Sequence, residues 1–498
     1  ALNASRYTPS STLQRMELLK TGYMGTLSLG WDNYLFLELT GRQERSSTLK
    51  DQSFFYPSAN LSFLFTQAFH MPSWWNYGKL RLSYGIVGNA PETYTANIVY
   101  EQGSDNGFTW NTIPSSWGNA DIRPEKKYEY EIGLESKFLN NRLGIDISYY
   151  NNRVKDQILS TPQPSTSGVK NVLMNVGEVA NHGWDISISA TPILTRDFRW
   201  DLTANYGVYK NKVVKLADGV PYLEILNSGG SGIKIQAVEG QPMGDIYAQV
   251  PQVNENGEYL VSDKGLYLNQ TELQKVGNIN PAGVGGLFNS FSYKNVFLDF
   301  SIDFRIGGDV INEMNQYATA VGLTPESLKY RDTEHGGLSY YYPGDNNSSG
   351  IPVQVDPSTG AGPNGEIIYH DGIILPGVVA STGERNTRII PAGYYYNTTY
   401  NWGTEAEQLT YRHSVFDNSY VKLRELTIGY QFPEKMISKL GLGRLSVSVF
   451  GRNLFYFYKA LKNYDAESSV GTSWANQATV GSSTTATRSF GVSLRASF

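Results

Sequence analysis

The 498-residue sequence predicts an all-β chain, a transmembrane antiparallel β-barrel or a large part of one, and three observations carry that prediction. Apolar residues recur at every second position in many separate stretches, the period of an extended strand with one apolar and one polar face. No run of about 18 apolar residues occurs, which excludes a membrane-spanning helix but not spanning strands, since those need only alternate. The connections between the stretches are short and long by turns, as in outer-membrane barrels. A mean hydropathy of -0.35 looks water-soluble, yet polar lumens and loops give barrels the same average.

Thirteen strands are predicted, near residues 22–31, 34–42, 54–69, 77–88, 126–138, 142–154, 176–191, 198–212, 283–293, 296–308, 413–432, 445–458 and 486–498. In "RLGIDISYYN", Leu143, Ile145, Ile147 and Tyr149 face one way and Gly144, Asp146, Ser148 and Tyr150 the other. "GWDISISATP" repeats this with Trp184, Ile186, Ile188 and Ala190, and "FRWDLTANYGV" with Phe198, Trp200, Leu202, Ala204, Tyr206 and Val208. "FLDFSIDFRIGG" sets Leu298, Phe300, Ile302, Phe304 and Ile306 against Asp299, Ser301, Asp303 and Arg305. The last stretch, "RSFGVSLRASF", sets Phe490, Val492, Leu494, Ala496 and Phe498 against Ser489, Gly491, Ser493, Arg495 and Ser497. A soluble sandwich alternates too, but its apolar faces meet a second sheet, and so many long strands with aromatic ends are unusual there. The short connections are "WDNY", "HMPSWWNYG", "FLNNRL", "TPILTRDF", "SYKN" and "FPEKMISKLGLGR"; the long ones include 89–125, 213–282, 309–412 and 459–485. This alternation puts the end of the last strand on the short-turn side, the periplasm. Thirteen is an odd count for a bacterial barrel, so further strands are expected outside this sequence.

Composition removes several function classes. A net charge of -5 supplies no basic field for nucleic acid. The absence of Cys rules out disulfide scaffolds and thiolate metal sites. The five His, at 70, 182, 335, 370 and 413, form no H-E-x-x-H pair, and no nucleophile elbow or phosphate loop appears. No catalytic residue, metal or cofactor is therefore expected. From Gln252, the spacing of Asn254, Asn256, Gly257 and Asp263 imitates a twelve-residue calcium loop. Gln252 stands where Asp is usual and Asp263 where a bidentate Glu is usual, so with Glu258 at most two carboxylates are on offer; an ordinary Asn256-Gly257 turn is the expectation.

Five ordered segments carry a family resemblance: "PEKKYEYEIGLESKFLNNRLGIDISYYNNRVKDQI", "NVGEVANHGWDISISATPI", "GNINPAGVGGLFNSFSYKNVFLDFSIDFRIGGDVIN", "DGIILPGV" and "SYVKLRELTIGYQFPEKMISKLGLGRLSVSVFGRNLFYF". The chain from about Thr21 onward resembles the SusC/RagA-like TonB-dependent transporters of Bacteroidetes outer membranes. The resemblance implies a plugged barrel of about 22 strands, of which about the C-terminal thirteen are here, residues 1–20 being the end of an extracellular loop and 21–498 the barrel with its long external loops. It implies active import of an oligosaccharide or a peptide across the bacterial outer membrane. The implied partners are a SusD-like lipoprotein lid, TonB acting through a plug and N-terminal part not present here, and membrane lipid. A passive porin or a structural surface barrel is the competing reading. A terminal aromatic, Phe498, resembles the signal read by the barrel-assembly machinery.

The inward face is expected to carry Glu129, Glu131, Asp146, Asp299, Asp303, Arg305, Lys422 and Arg424, because a Lys or Arg facing the bilayer midplane costs about 2 to 4 kcal/mol. Substrate contact is expected from aromatics in the long loops: Trp110, Trp117, Tyr340, Tyr341, Tyr342, Tyr394, Tyr395, Tyr396 and Trp402. Their rings offer flat apolar faces with polar tips at small conformational cost. The external loops 213–282 and 309–412 are expected to take their order from the lipoprotein partner.

Overall fold

The computed structural model describes residues 15–50, 53–97, 99–105, 108–114, 116–162, 166, 168–228, 232–344, 350–401, 410–469, 471, 473–481 and 486–497. Phe498 and Trp402 lie outside the described residues, so the expectations placed on them do too. Thirteen strands form one antiparallel sheet in chain order. They are β1 (Lys20–Trp31), β2 (Leu35–Ser46), β3 (Ser53–Phe63), β4 (Trp75–Asn89), β5 (Glu125–Phe138), β6 (Leu143–Lys155), β7 (Glu178–Leu194), β8 (Phe198–Lys215), β9 (Gly283–Tyr293), β10 (Val296–Ile306), β11 (Tyr420–Gln431), β12 (Arg444–Lys459) and β13 (Ser489–Ser497). Every strand read from the sequence is present, and two boundaries move by more than four residues, each for a local reason. The third strand stops at Phe63, not 69, because Phe65–Ala68 closes one helical turn. The eleventh starts at Tyr420, not 413, because Tyr411–Ser414 is a 3-10 turn and Val415–Asp417 pairs instead with Asp309–Ile311.

Two compact units divide the chain. One comprises Ala1–Asp185, Lys210–Leu223 and Val238–Gly240; the other comprises Ile186–Tyr209, Glu224–Ala237 and Gln241–Phe498. In the first unit the register confirms the two-faced reading. Leu82 on β4 faces Ile132 on β5, which faces Tyr149 on β6, and Leu80, Leu134 and Ile147 form the next such row. These apolar rows point outward, with Ile132 47% exposed, as a face that meets lipid should be. Arg81, Ser83, Glu131 and Asp146 occupy the intervening positions of the same strands.

Short turns get their left-handed backbone from polar residues that tolerate it. Asp32 and Asn33 join β1 to β2, and Asn140 and Asn141 follow Leu139 between β5 and β6, all at positive φ. Aromatics gather at this short-turn end of the first unit. Trp75 lies 5.4 Å from Phe138 and 5.3 Å from Phe65, the placement expected of an interfacial girdle. Phe65 in turn lies across Gly78, where any Cβ would sit about 2.1 Å from its ring, so β4 needs glycine there.

The second unit adds a water-type core to its share of the wall. Ile233 and Ile235 on strand Ile233–Val238 pair with Ala248 and Ile246 on Asp245–Ala248, and all four are fully buried. Ile279, Ile311, Val415, Ala475 and Ala478 complete this core, so residues from the connections 213–282, 309–412 and 459–485 pack together. Each buried isoleucine contributes about 1.5 to 3 kcal/mol. The expectation that these loops take their order from a partner misses this internal core.

Candidate functional site

Two groups of polar and aromatic side chains stand out: ion pairs on the inner face of the wall and aromatic clusters in the long loops. In the first unit Arg81 of β4 reaches across β5 to β6. Its Nη2 donates to Asp146 Oδ1 at 2.6 Å and to Ser148 Oγ at 3.1 Å, and its Nη1 lies 3.5 Å from Glu135. Gly133 makes this reach possible, since a Cβ there would come within 2.8 Å of Arg81 Nη2. Beside it, Glu129 accepts from Asn152 at 3.1 Å and pairs with Lys127 at 2.5 Å.

The second unit repeats the arrangement with a loop drawn in. Arg424 of β11 donates to Asp303 of β10 at 2.5 Å, to Asn453 at 3.0 Å and to Glu467 Oε2 at 2.8 Å. Lys422, whose side chain is only 2% exposed, donates to the same Glu467 at 2.5 Å and stands 4.7 Å over the Tyr456 ring. Glu467 belongs to the connection 459–485 and not to a strand. Burial alone would raise its carboxyl, but hydrogen bonds from Arg424 and Lys422 outweigh that and hold it down at about 2. Asp465 continues the tie, accepting the Tyr456 hydroxyl at 2.6 Å and capping the Glu467 N–H at 3.0 Å. Asp299 accepts from Ser290 at 2.6 Å, and Arg305 donates to the carbonyls of Gly307 and Ile279 at 3.1 Å. Of the inward charges named from the sequence, Glu129, Asp146, Asp299, Asp303, Arg305, Lys422 and Arg424 sit in polar contacts. Sequence spacing gave no signal for Glu467, since its partners Lys422 and Arg424 lie 45 and 43 residues away.

The tyrosines named from the sequence fall into two clusters, both in the second unit. Tyr340 is 1% exposed, stacks on Tyr369 at 5.4 Å, meets Tyr342 edge-on at 5.5 Å and donates its hydroxyl to Asp371 at 3.2 Å. Burial and the Asp371 charge push the Tyr340 phenol far up. Tyr396 donates to the Glu326 carbonyl at 2.8 Å and packs against Tyr395 and Tyr400, and burial raises it to about 12. Tyr400 in turn stacks on the His413 ring at 4.4 Å. Burial and the Arg412 charge lower His413 to about 4, keeping the imidazole neutral. Tyr340, Tyr342 and Tyr396 are therefore packed inside the loop body, whereas Tyr341, Tyr394 and Tyr395 keep partial exposure. Trp110 and Trp117 belong to the first unit. Trp110 is 45% exposed on the hairpin Glu101–Asp105/Phe108–Thr112, its ring lying over Gly103, and Trp117 pairs in parallel with Val172.

Among the described residues no three His, Asp or Glu side chains gather as a metal cluster. The segment from Gln252 forms a turn closed by the Gly257 N–H donating to the Asn254 carbonyl at 3.0 Å, with the Asn254 side chain accepting from the Asn256 and Glu258 N–H groups, each at 3.0 Å. Gly257 has φ of +79°, which suits the Asn-Gly turn read from the sequence.

Comparison with known proteins agrees with this architecture. The TonB dependent receptor-like β-barrel family matches residues 3–251, half of the chain. TonB-dependent receptor P3 of Formosa agariphila is 24% identical over 90% of this chain and 42% of its own. TonB-dependent receptor SusC of Bacteroides thetaiotaomicron is 30% identical over 46% of this chain and 24% of its own. The solved structure of the RagAB peptide transporter superposes with a TM-score of 0.64 at 18% identity, covering 92% of this chain and 46% of that one. The chain spans less than half the length of the curated relatives it matches. With thirteen antiparallel strands, an outward apolar face and an inward ion band, it belongs to the β-barrel of the TonB-dependent receptors, proteins of the bacterial outer membrane.

Proposed function

We propose that this chain is the C-terminal part of an energised importer that takes a large nutrient, an oligosaccharide or a peptide, across the outer membrane with a SusD-like lipoprotein at its external mouth. The observation that carries this reading is the chain's membership of the TonB-dependent receptors, taken with its likeness to SusC and to the RagAB peptide transporter. In this reading residues 1–20 end an extracellular loop, the connections 89–125, 213–282, 309–412 and 459–485 are external, and the short turns face the periplasm. Transport moves the nutrient without chemistry on it, so the protein is not an enzyme. TonB acts through polypeptide outside this sequence. Of the aromatics named for substrate contact, Trp110, Trp117, Tyr341, Tyr394 and Tyr395 keep surface to offer, and Tyr340, Tyr342 and Tyr396 are buried.

The test is uptake by the producing bacterium of a nutrient on which loss of the intact gene stops growth. Collapse of the proton gradient or loss of TonB is expected to abolish uptake, and affinity purification is expected to recover a surface lipoprotein. Uptake that survives both treatments would favour a passive porin.

A further inference from the structure

One loop cleft of about 400 Å³ stands apart from the ion band and has its own chemistry. Its lining includes Tyr342, Arg388, Ile389, Ile390, Pro391 and Tyr394. Arg388 sits between two small cores. Ile389 packs with Tyr340 and Tyr342, while Ile390 packs with Leu266, Ile373 and Leu375. Its backbone is fixed by an N–H donated to Asn386 Oδ1 at 3.0 Å, and buried Asn386 is itself tied to the Leu375 carbonyl at 2.8 Å. The Arg388 side chain is half-buried, yet among the described residues its guanidinium forms no ion pair. Asp371, whose charge acts on the same Tyr342 phenol, gives its carboxylate to the Tyr340 hydroxyl. A partly desolvated cation on a rigid stretch, beside apolar surface, suits an anion that brings an apolar group with it.

The lining also discriminates between ligand classes. A sugar ring is typically held by carboxylates and amides that accept from and donate to neighbouring hydroxyls, and among the described residues no Asp, Glu, Asn or Gln lines this cleft. Isoleucine, proline and tyrosine surfaces suit an aliphatic or aromatic side chain instead. We infer that the cleft binds the C-terminal residue of a peptide, its carboxylate on Arg388 and its apolar side chain against Ile389, Pro391 and Tyr394. The inference rests on the import reading above and narrows it to peptide cargo.

The experiment is binding of a fluorescein-labelled tetraglycyl-leucine peptide to the purified full-length transporter, followed by fluorescence anisotropy. Purified protein needs no TonB, so failure here and failure of the uptake test are separate results. The free acid is expected to bind, and C-terminal amidation and Arg388→Gln are each expected to weaken binding about tenfold or more. The two losses should not add, because they remove the same contact, and Arg388→Lys should retain part of the affinity. Should Arg388→Gln disturb the fold, seen as loss of heat-shifted migration, the amidation arm on the unaltered protein decides alone. Equal affinity for acid and amide would overturn the proposal, as would polygalacturonate binding in an Arg388-dependent way where the peptide does not bind.

Discussion

The strand wall and the loop body of this chain follow opposite burial rules. On β13 the apolar residues Phe490, Val492 and Leu494 are the exposed ones, at 68 to 74%, while in the loop body Ile233, Ile235 and Ile246 are fully buried. The same residue types do opposite things because the two regions meet different solvents. Hydrocarbon demands that the wall's outer face be apolar and that every backbone group be paired within the sheet. Water demands that the loops fold inward around their own apolar side chains. Polar groups follow the reverse course: Arg81, Asp146, Arg424 and Asp303 gather on the wall's inner face, where they pair across strands.

Substitutions can break this contrast, and the largest effect is expected in the loop core. Ile246→Asp buries an unpaired carboxylate against Ile235 and should cost about 4 kcal/mol or more. Limited proteolysis should then cut the loops while the wall keeps its heat-shifted migration. Ile132→Arg places a cation on the lipid face in mid-strand and should destabilise the wall by about 2 to 4 kcal/mol in denaturant titrations in lipid. Its inward neighbour Glu131→Arg should cost far less, since that face is wet. Glu467→Ala leaves Lys422 buried without a carboxylate and should loosen the connection 459–485 by about 2 kcal/mol, a figure reduced because Glu467 is partly exposed. Faster hydrogen exchange confined to that connection would check it.

Acidity gives a subtler lever. His413 titrates near 4 in the folded loop body against an ordinary value of 6.5, so between those pH values the unfolded chain binds more protons. Stability from this group is present above pH 6.5 and is lost as pH falls toward 4, by at most about 1.4 kcal/mol per pH unit. Proteolytic resistance of the loops should therefore drop from pH 7 to pH 5, and His413→Phe should flatten that drop. The smallest effect is expected at the Asn256-Gly257 turn, where Gly257→Ala forces a Cβ into positive φ at a cost of about 1 kcal/mol.

The sequence made the wall legible because lipid imposes one rule on every strand. Tyr130, Ile132 and Leu134 alternate with Glu129, Glu131 and Gly133 regardless of what surrounds them, so period-2 counting located β5 and its inward face together. The loops offered no such period. Ile233 and Ile246 meet through a four-residue strand, and their partners Ile311, Val415 and Ala478 come from distant connections. Tyrosine clustering drew attention to Tyr340 and Tyr396, but composition alone cannot tell a ring that packs from a ring that waits for ligand. Arg388 escaped notice because an isolated arginine carries no pattern; its significance lies in its having no carboxylate partner among the described residues.

Single-cysteine labelling tests the two-faced wall most directly, and the sequence has no cysteine to interfere. Leu82 pairs with Ile132 on one face and Ser83 with Glu131 on the other. Each is replaced by cysteine in the full-length protein, and outer-membrane vesicles are treated with a charged, membrane-impermeant maleimide. Ser83→Cys and Glu131→Cys are predicted to react, while Leu82→Cys and Ile132→Cys stay unlabelled until the lipid is removed by detergent. Equal labelling of both faces, or labelling of Leu82→Cys and Ile132→Cys alone, would contradict a wall with lipid outside and an aqueous lumen within.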